Sequence, residues 1–183
     1  MTRPALARGE GAFRILIKLR APQLGAACLC AALPRHHPSE TRLQLSAASA
    51  LLAAANALEL ADAPQLRSLG GLSTQAQIGD LVVSNAPLFD NLGTAFTSGA
   101  SIVRSLRLDQ LPALKSLGPL QRVQRLDTLT ITTCDGLVDL SGLGGLQTVG
   151  TFLVSNCANL QTLKGLDALE SATDSLGLDT GWS

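Results

Sequence analysis

The residues best equipped for chemistry are two pairs of cysteines and one pair of histidines. Cys134 and Cys157 lie 23 residues apart, while Cys28-x-Cys30 stands close to His36 and His37. A Cys and His group of the second kind holds metal-capable atoms. Its spacing, however, lacks the second half that a zinc site built on C-x₂-C requires. For Cys134 and Cys157 the candidate chemistry is a disulfide. If the two thiols stack on neighbouring strands they sit about 4.8 Å apart, close enough by Cα separation. Parallel side-chain vectors nevertheless strain such a bond. The competing role is a pair of free, buried cysteines acting as small apolar residues, and this is the expectation adopted.

Other sites are harder to support. The chain carries no G-x-S-x-G, no G-x-x-x-x-G-K and no H-E-x-x-H, so no nucleophile, phosphate cradle or metalloprotease helix is expected. A polar series, Asp62, Asn85, Gln110, Thr133, Asn156 and Thr180, recurs along the chain. A calcium ladder would need acidic residues at each of these places. Side chains that satisfy backbone groups at corners explain the series instead. Thr130-x-Thr132 resembles the threonine pair of ice-binding solenoids, but it occurs once, and an ordered array needs it in turn after turn. The expected site list is therefore catalytic none, metal none and cofactors none.

The spacing of 23 between the cysteines belongs to a wider pattern. Leu129 and Ile131 alternate with Thr130 and Thr132, the mark of a half-buried strand. The first strand position recurs at Leu58, Leu81, Leu106, Leu129, Phe152 and Leu176, in steps of 23, 25, 23, 23 and 24. The second recurs at Leu60, Val83, Leu108, Ile131, Val154 and Leu178. A constant period in the twenties signals a stacked-repeat architecture. After each strand the apolar residues step by three, as in Cys134, Leu137, Leu140, Leu143 and Leu146. Steps of three smear around a 3.6-residue helix, and Gly142, Gly144, Gly145 and Pro119 suit a helix interior poorly. A flattened coil fits better, stacked so that each turn buries the apolar side of the next. The core ladder is then Leu58, Leu81, Leu106, Leu129 and Phe152 on the strands, with Leu69, Leu92, Leu117, Leu140 and Leu163 behind them. The second turn is irregular, since Thr94 to Ser101 adds two residues without the expected leucines. Drift in a tolerant loop accounts for this, although insertions in solenoids also carry function.

L-x-x-L-x-I-x-x-C-x-x-L at 126–137 resembles the leucine-rich repeat signature. I-G-D-L-V-V-S-N (78–85) and V-G-T-F-L-V-S-N (149–156) look like the receptor L-domain, a related right-handed β-helix found in growth-factor receptor ectodomains and fungal cell-surface proteins. The resemblance covers about residues 58–183. It implies a right-handed coil and a recognition role at a cell surface or outside the cell. The chain departs from the pattern where Asn usually stands, with Ala63, Ala86, Leu111, Cys134 and Cys157 instead. It also lacks the cysteine-rich flanks, so no ligand residues carry over.

Composition narrows the remaining options. The 183 residues are 46% hydrophobic and 15% charged, with only 3% aromatic, so one aliphatic core is expected. With no net charge and few rings to stack bases, a nucleic-acid partner is not expected. Residues 1–40 hold six basic residues against Glu10 and Glu40, a surplus of four that the rest of the neutral chain balances with acid. This basic leader, with the uncharged run Leu24–Leu33 ending at Pro34, reads as a signal-peptide core, an organelle transit segment or an untargeted, partly disordered leader. No apolar run is long enough to span a bilayer. The Ala-rich residues 41–57 read as a short helical N-terminal cap, closing an edge that would otherwise invite pairing. Leu176 opens a last, incomplete turn. Either Gly181-Trp182-Ser183 folds over it, or the array continues and the chain is a fragment; the second is the expectation.

The sequence thus predicts a mainly β chain, a right-handed parallel β-solenoid of about five turns of 23–25 residues over 58–183, with the cap at 41–57 and the leader at 1–40. The candidate exposed strand face is Glu59, Val82, Arg107, Asp109, Thr130, Thr132, Leu153 and Ser155. A non-catalytic recognition or scaffold role follows, with a protein or glycan ligand and self-association through an open C-terminal edge. The alternatives are a structural spacer, or the regulatory region of an enzyme whose catalytic domain lies elsewhere. An extracellular or cell-surface location is expected, with an organelle or the cytoplasm as alternatives.

Overall fold

A computed structural model describes residues 14–19, 55–69, 77–93, 96 and 101–179. Seven strands form one sheet in chain order: β1 (Arg14–Leu19), β2 (Ala55–Ala61), β3 (Gln77–Ser84), β4 (Ser101–Asp109), β5 (Arg125–Thr132), β6 (Thr148–Ser155) and β7 (Ser171–Asp179). From β2 to β7 every neighbour is parallel. The described chain is therefore mainly β, a parallel β-solenoid of about five turns.

The repeat spacing becomes the strand register. Leu58 pairs with Leu81, Leu81 with Leu106, Leu106 with Leu129, Leu129 with Phe152 and Phe152 with Leu176. The three-residue steps between strands are a run of tight turns. Leu137 donates its N–H to the Cys134 carbonyl, Leu143 to Leu140, and Leu146 to Leu143. Two of these turns are regular enough to be 3₁₀ segments, Gly118–Leu120 and Ser141–Leu143. A turn that closes every three residues returns each leucine to the interior. The coils stack so tightly that a Cβ on Gly142 would lie 1.8 Å from the Leu117 carbonyl carbon of the preceding turn.

The departures from a period of 23 also have causes. Ile78 pairs with Ile102 but Asp80 pairs with Ser105, so Val103 and Arg104 together stand opposite Gly79. Likewise Val149 pairs with Ala172 and Thr151 with Ser175, leaving Thr173 and Asp174 opposite Gly150. Each is a β-bulge, one extra residue in one strand. A Cβ on Gly150 would lie 2.4 Å from the Asp127 carbonyl and 2.9 Å from the Asp174 carboxylate, so only glycine leaves room there. One of the two extra residues of the second turn is thus a bulge inside β4, rather than part of a loop. The rest of the Thr94–Ser101 insertion lies outside the described residues except Ser101, which begins β4, and Phe96, which is buried.

Three expectations need correction. First, Ala55–Ala57, the end of the expected helical cap, belong to β2. Pairing of Ala55 and Ala57 with β1, and of Ala57 with β3, outweighs the helix preference of alanine. Residues 41–54 lie outside the described chain. Second, part of the basic leader is a strand. β1 runs antiparallel to β2, with Ile17 in register with Leu58 and Ile15 with Leu60. It covers the first edge of the solenoid, the task assigned to the helix; the remainder of the leader lies outside the described residues. Third, Leu163 does not join the core ladder. Leu69, Leu92, Leu117 and Leu140 are fully buried, whereas Leu163 is 44% exposed. Among the described residues no further coil stacks on it. Leu166 and Leu169 pack against the core there instead.

Candidate recognition face

The outward side of β2–β7 carries three columns set by the register. Glu59, Val82, Arg107, Thr130, Leu153 and Gly177 form the central one. Ala61, Ser84, Asp109, Thr132, Ser155 and Asp179 form the second. A third column, Ala57, Asp80, Ser105, Thr128, Thr151 and Ser175, was not identified from sequence. Carrying the strand alternation two residues upstream would have found it. Glu59, Val82, Asp109, Thr130, Thr132 and Ser155 are half-buried, while Arg107 and Leu153 are exposed. Six strands at about 4.8 Å make a face about 24 Å long. The two flanking columns carry only Ala, Ser, Thr and Asp, while the central one carries the larger side chains.

Hydrogen bonds across strands fix several of these side chains. Thr132 Oγ1 donates to Asp109 Oδ1 at 2.6 Å. Asp80 accepts from Arg104 at 2.6 Å through one oxygen and from Ser105 Oγ at 2.8 Å through the other. The β4 bulge makes the second arrangement possible, because its extra residue brings both Arg104 and Ser105 beside Asp80. Spacing alone did not reveal Arg104, since a bulge shifts the columns by one residue.

At the corner beyond the face, Asp62, Asn85, Gln110, Thr133 and Asn156 all have positive φ, between 49° and 55°. Each turns its N–H onto a carbonyl of the next turn, as Gln110 does to Thr132 and Thr133 to Ser155, both at 3.0 Å. Asn85 also donates from its side chain to Asp62 at 2.8 Å. It is thus the backbone N–H groups of this series that join one turn to the next, while the Asn85–Asp62 contact joins two side chains. Asp and Asn tolerate the left-handed region, whereas β-branched Thr133 does so at a cost. Thr180 lies outside the described residues.

Cys134 and Cys157 follow the corner, and both are free and fully buried. Their thiols point the same way, each toward the carbonyl two residues earlier at 3.4 Å, on Thr132 and Ser155. A hydrogen bond with Cys157, reinforced by burial, pushes the Cys134 thiol far above the ordinary thiol range. A thiol held protonated in a dry interior is a poor nucleophile. Cys28, Cys30, His36 and His37 lie outside the described residues. Among the described residues no three His, Cys, Asp or Glu side chains gather to hold a metal, and no helix is long and apolar enough to cross a membrane. Comparison with protein families, with curated proteins and with solved structures finds no match to this chain.

Proposed function

We propose that this chain is a non-catalytic recognition or scaffold module of the receptor L-domain or leucine-rich-repeat type. In this reading the coil is right-handed and belongs to a larger protein at the cell surface or outside the cell. The observation that carries the proposal is the outward face of β2–β7. Its columns are in register from strand to strand and partly locked by the Asp80–Arg104–Ser105 and Asp109–Thr132 contacts. Side chains held before a partner arrives lose less freedom on binding. Arg107 and Leu153 stand out from the centre of the face and are its natural anchors, Arg being favoured at interfaces.

The test is a binding screen of the purified chain against an array of extracellular proteins, repeated with three variants. Arg107→Glu and Thr130→Arg should abolish a genuine interaction, and Val138→Arg, outside the strand columns, should leave it intact. Binding that survives both face variants, or is lost equally with Val138→Arg, would remove the face from the proposal. A spacer role would then be the better reading.

A further inference from the structure

Cys134 and Cys157 take no part in the outward face, yet the backbone sets them in the same way. The strands before them pair residue for residue, from Thr128 with Thr151 to Thr132 with Ser155. Just after them, Leu137 donates its N–H to the Cys134 carbonyl at 3.1 Å and Leu160 to the Cys157 carbonyl at 3.0 Å. The two residues therefore stand one strand spacing apart, about 4.8 Å between Cα atoms. Disulfides span roughly 4.4–6.8 Å between the same atoms. Both sulfurs lean toward the carbonyl two residues earlier, so one lies above the other. Ala63, Ala86 and Leu111 hold the same place in the earlier turns, so among the described residues this is the one step of the stack where two thiols meet.

The pair is unequal. A hydrogen bond from Cys134 pulls the Cys157 thiol down to about 7, against the opposing effect of burial. Cys157 thus gives up its proton first, and the thiolate is the reactive form.

We infer that Cys134 and Cys157 are a reversible redox pair, which a peroxide closes into a disulfide joining the turns of β5 and β6. The Cys157 thiolate attacks one peroxide oxygen and the O–O bond breaks, leaving a sulfenic acid. The hydroxide released takes up the proton that Cys157 gave away and becomes water. The Cys134 sulfur then attacks the Cys157 sulfur. The S–O bond breaks, and the oxygen leaves as a second water with the Cys134 proton. Two thiols are oxidised and one peroxide is reduced to two waters. Both residues are fully buried, so the reaction waits on local opening of the coil, and a reagent as small as a peroxide needs the least of it.

The product turns one complete coil, with Ser141–Leu143 and β6, into a covalent ring. Such a ring restricts the unfolded chain and resists unfolding. The parallel side chains strain the bond, which makes it easier to reduce, so a small dithiol reopens it.

The test uses the full chain with Cys28→Ser and Cys30→Ser, which leaves these two as its only cysteines. After hydrogen peroxide in native buffer, the intact mass should fall by two hydrogens. Digestion before aspartate cuts at Asp135 and Asp139, between the cysteines. The two fragments should stay joined until dithiothreitol is added. The oxidised chain should keep its β circular dichroism and show a higher urea midpoint, which returns to the starting value on reduction. Cys157→Ala in the same background should give no link and no shift; if that variant does not fold, the oxidised and reduced forms of the parent decide alone. Mass gained as oxygen without a link would overturn the inference. So would links between two molecules, or an oxidised chain with a lower midpoint or a lost β signal. No loss of thiols, under peroxide that oxidises both in the urea-unfolded chain, would overturn it as well.

Discussion

Leu140 and Leu163 hold the same place in consecutive turns, yet one is fully buried and the other is 44% exposed. Their neighbours in sequence differ little. What separates them is whether another coil lies on top. A middle turn such as β5 and its coil is covered on both sides, by the turns of β4 and β6. Among the described residues the turn that ends in β7 is covered on one side, and its strand is exposed along almost its whole length. A repeat of this kind contributes stability through its interfaces more than by itself. Identical residues therefore have unequal worth at different heights in the stack.

The sharpest test of that contrast is a pair of truncations. Leu140→Ala should cost about 2–5 kcal/mol, the range for emptying a packed site. Leu163→Ala should cost under about 1 kcal/mol, because less apolar area is removed from an already wet site. Urea denaturation of both variants decides it, and equal losses would mean that the end turn is as well covered as the middle.

A second test uses backbone conformation in the middle of the stack. Thr133 adopts φ of 54° where Asn85 and Asn156 hold the equivalent corners. Thr133→Asn should stabilise the chain by about 0.5–1 kcal/mol, since asparagine tolerates this region and a β-branched residue does not. A destabilising result would show that the threonine side chain contributes more than its strain costs. Smaller still is Thr130→Ala on the outward face, expected to cost under about 0.5 kcal/mol. A loss as large as that of Leu140→Ala would mean that the inward and outward sides have been exchanged.

Two further measurements need only the wild-type chain. In native protein, Cys134 and Cys157 should react with a thiol reagent no faster than the stack opens, while urea should expose both at once. Prompt native labelling of both would contradict their burial. The pH dependence should include a small contribution from Asp139, whose carboxylate is held below its ordinary range by hydrogen bonds from the Ser141 hydroxyl and N–H. Because the folded pKa is lowered, this contribution is fully present above the usual carboxylate range and fades as the pH falls below it. Asp139→Asn should flatten that part of the acid limb, and an unchanged limb would argue that the contact is not kept in solution.

Much of this was legible in the residues themselves. Period-two alternation followed by steps of three identifies the strands and the coils, and the spacing of 23 places Leu106, Leu129 and Phe152 in one ladder. The central face column was readable in the same way. The third column was readable too, but Arg104 was not. A bulge changes register without changing residue type, so its effect on Asp80 cannot be counted along the chain. The role of β1 was hidden for a different reason. Arg14–Leu19 carries no repeat, and an antiparallel partner some forty residues away leaves no spacing to detect.

The sequence by itself determined the repeat, its core columns and the corner positions, because each depends on a local preference multiplied by five or six copies. Only the tertiary structure decided that β4 and β7 each take up a spare residue as a bulge, which element covers β2 and which leucines of the described chain remain in water. Those outcomes depend on what lies on top of a residue, and stacking contacts join positions 23 or more residues apart.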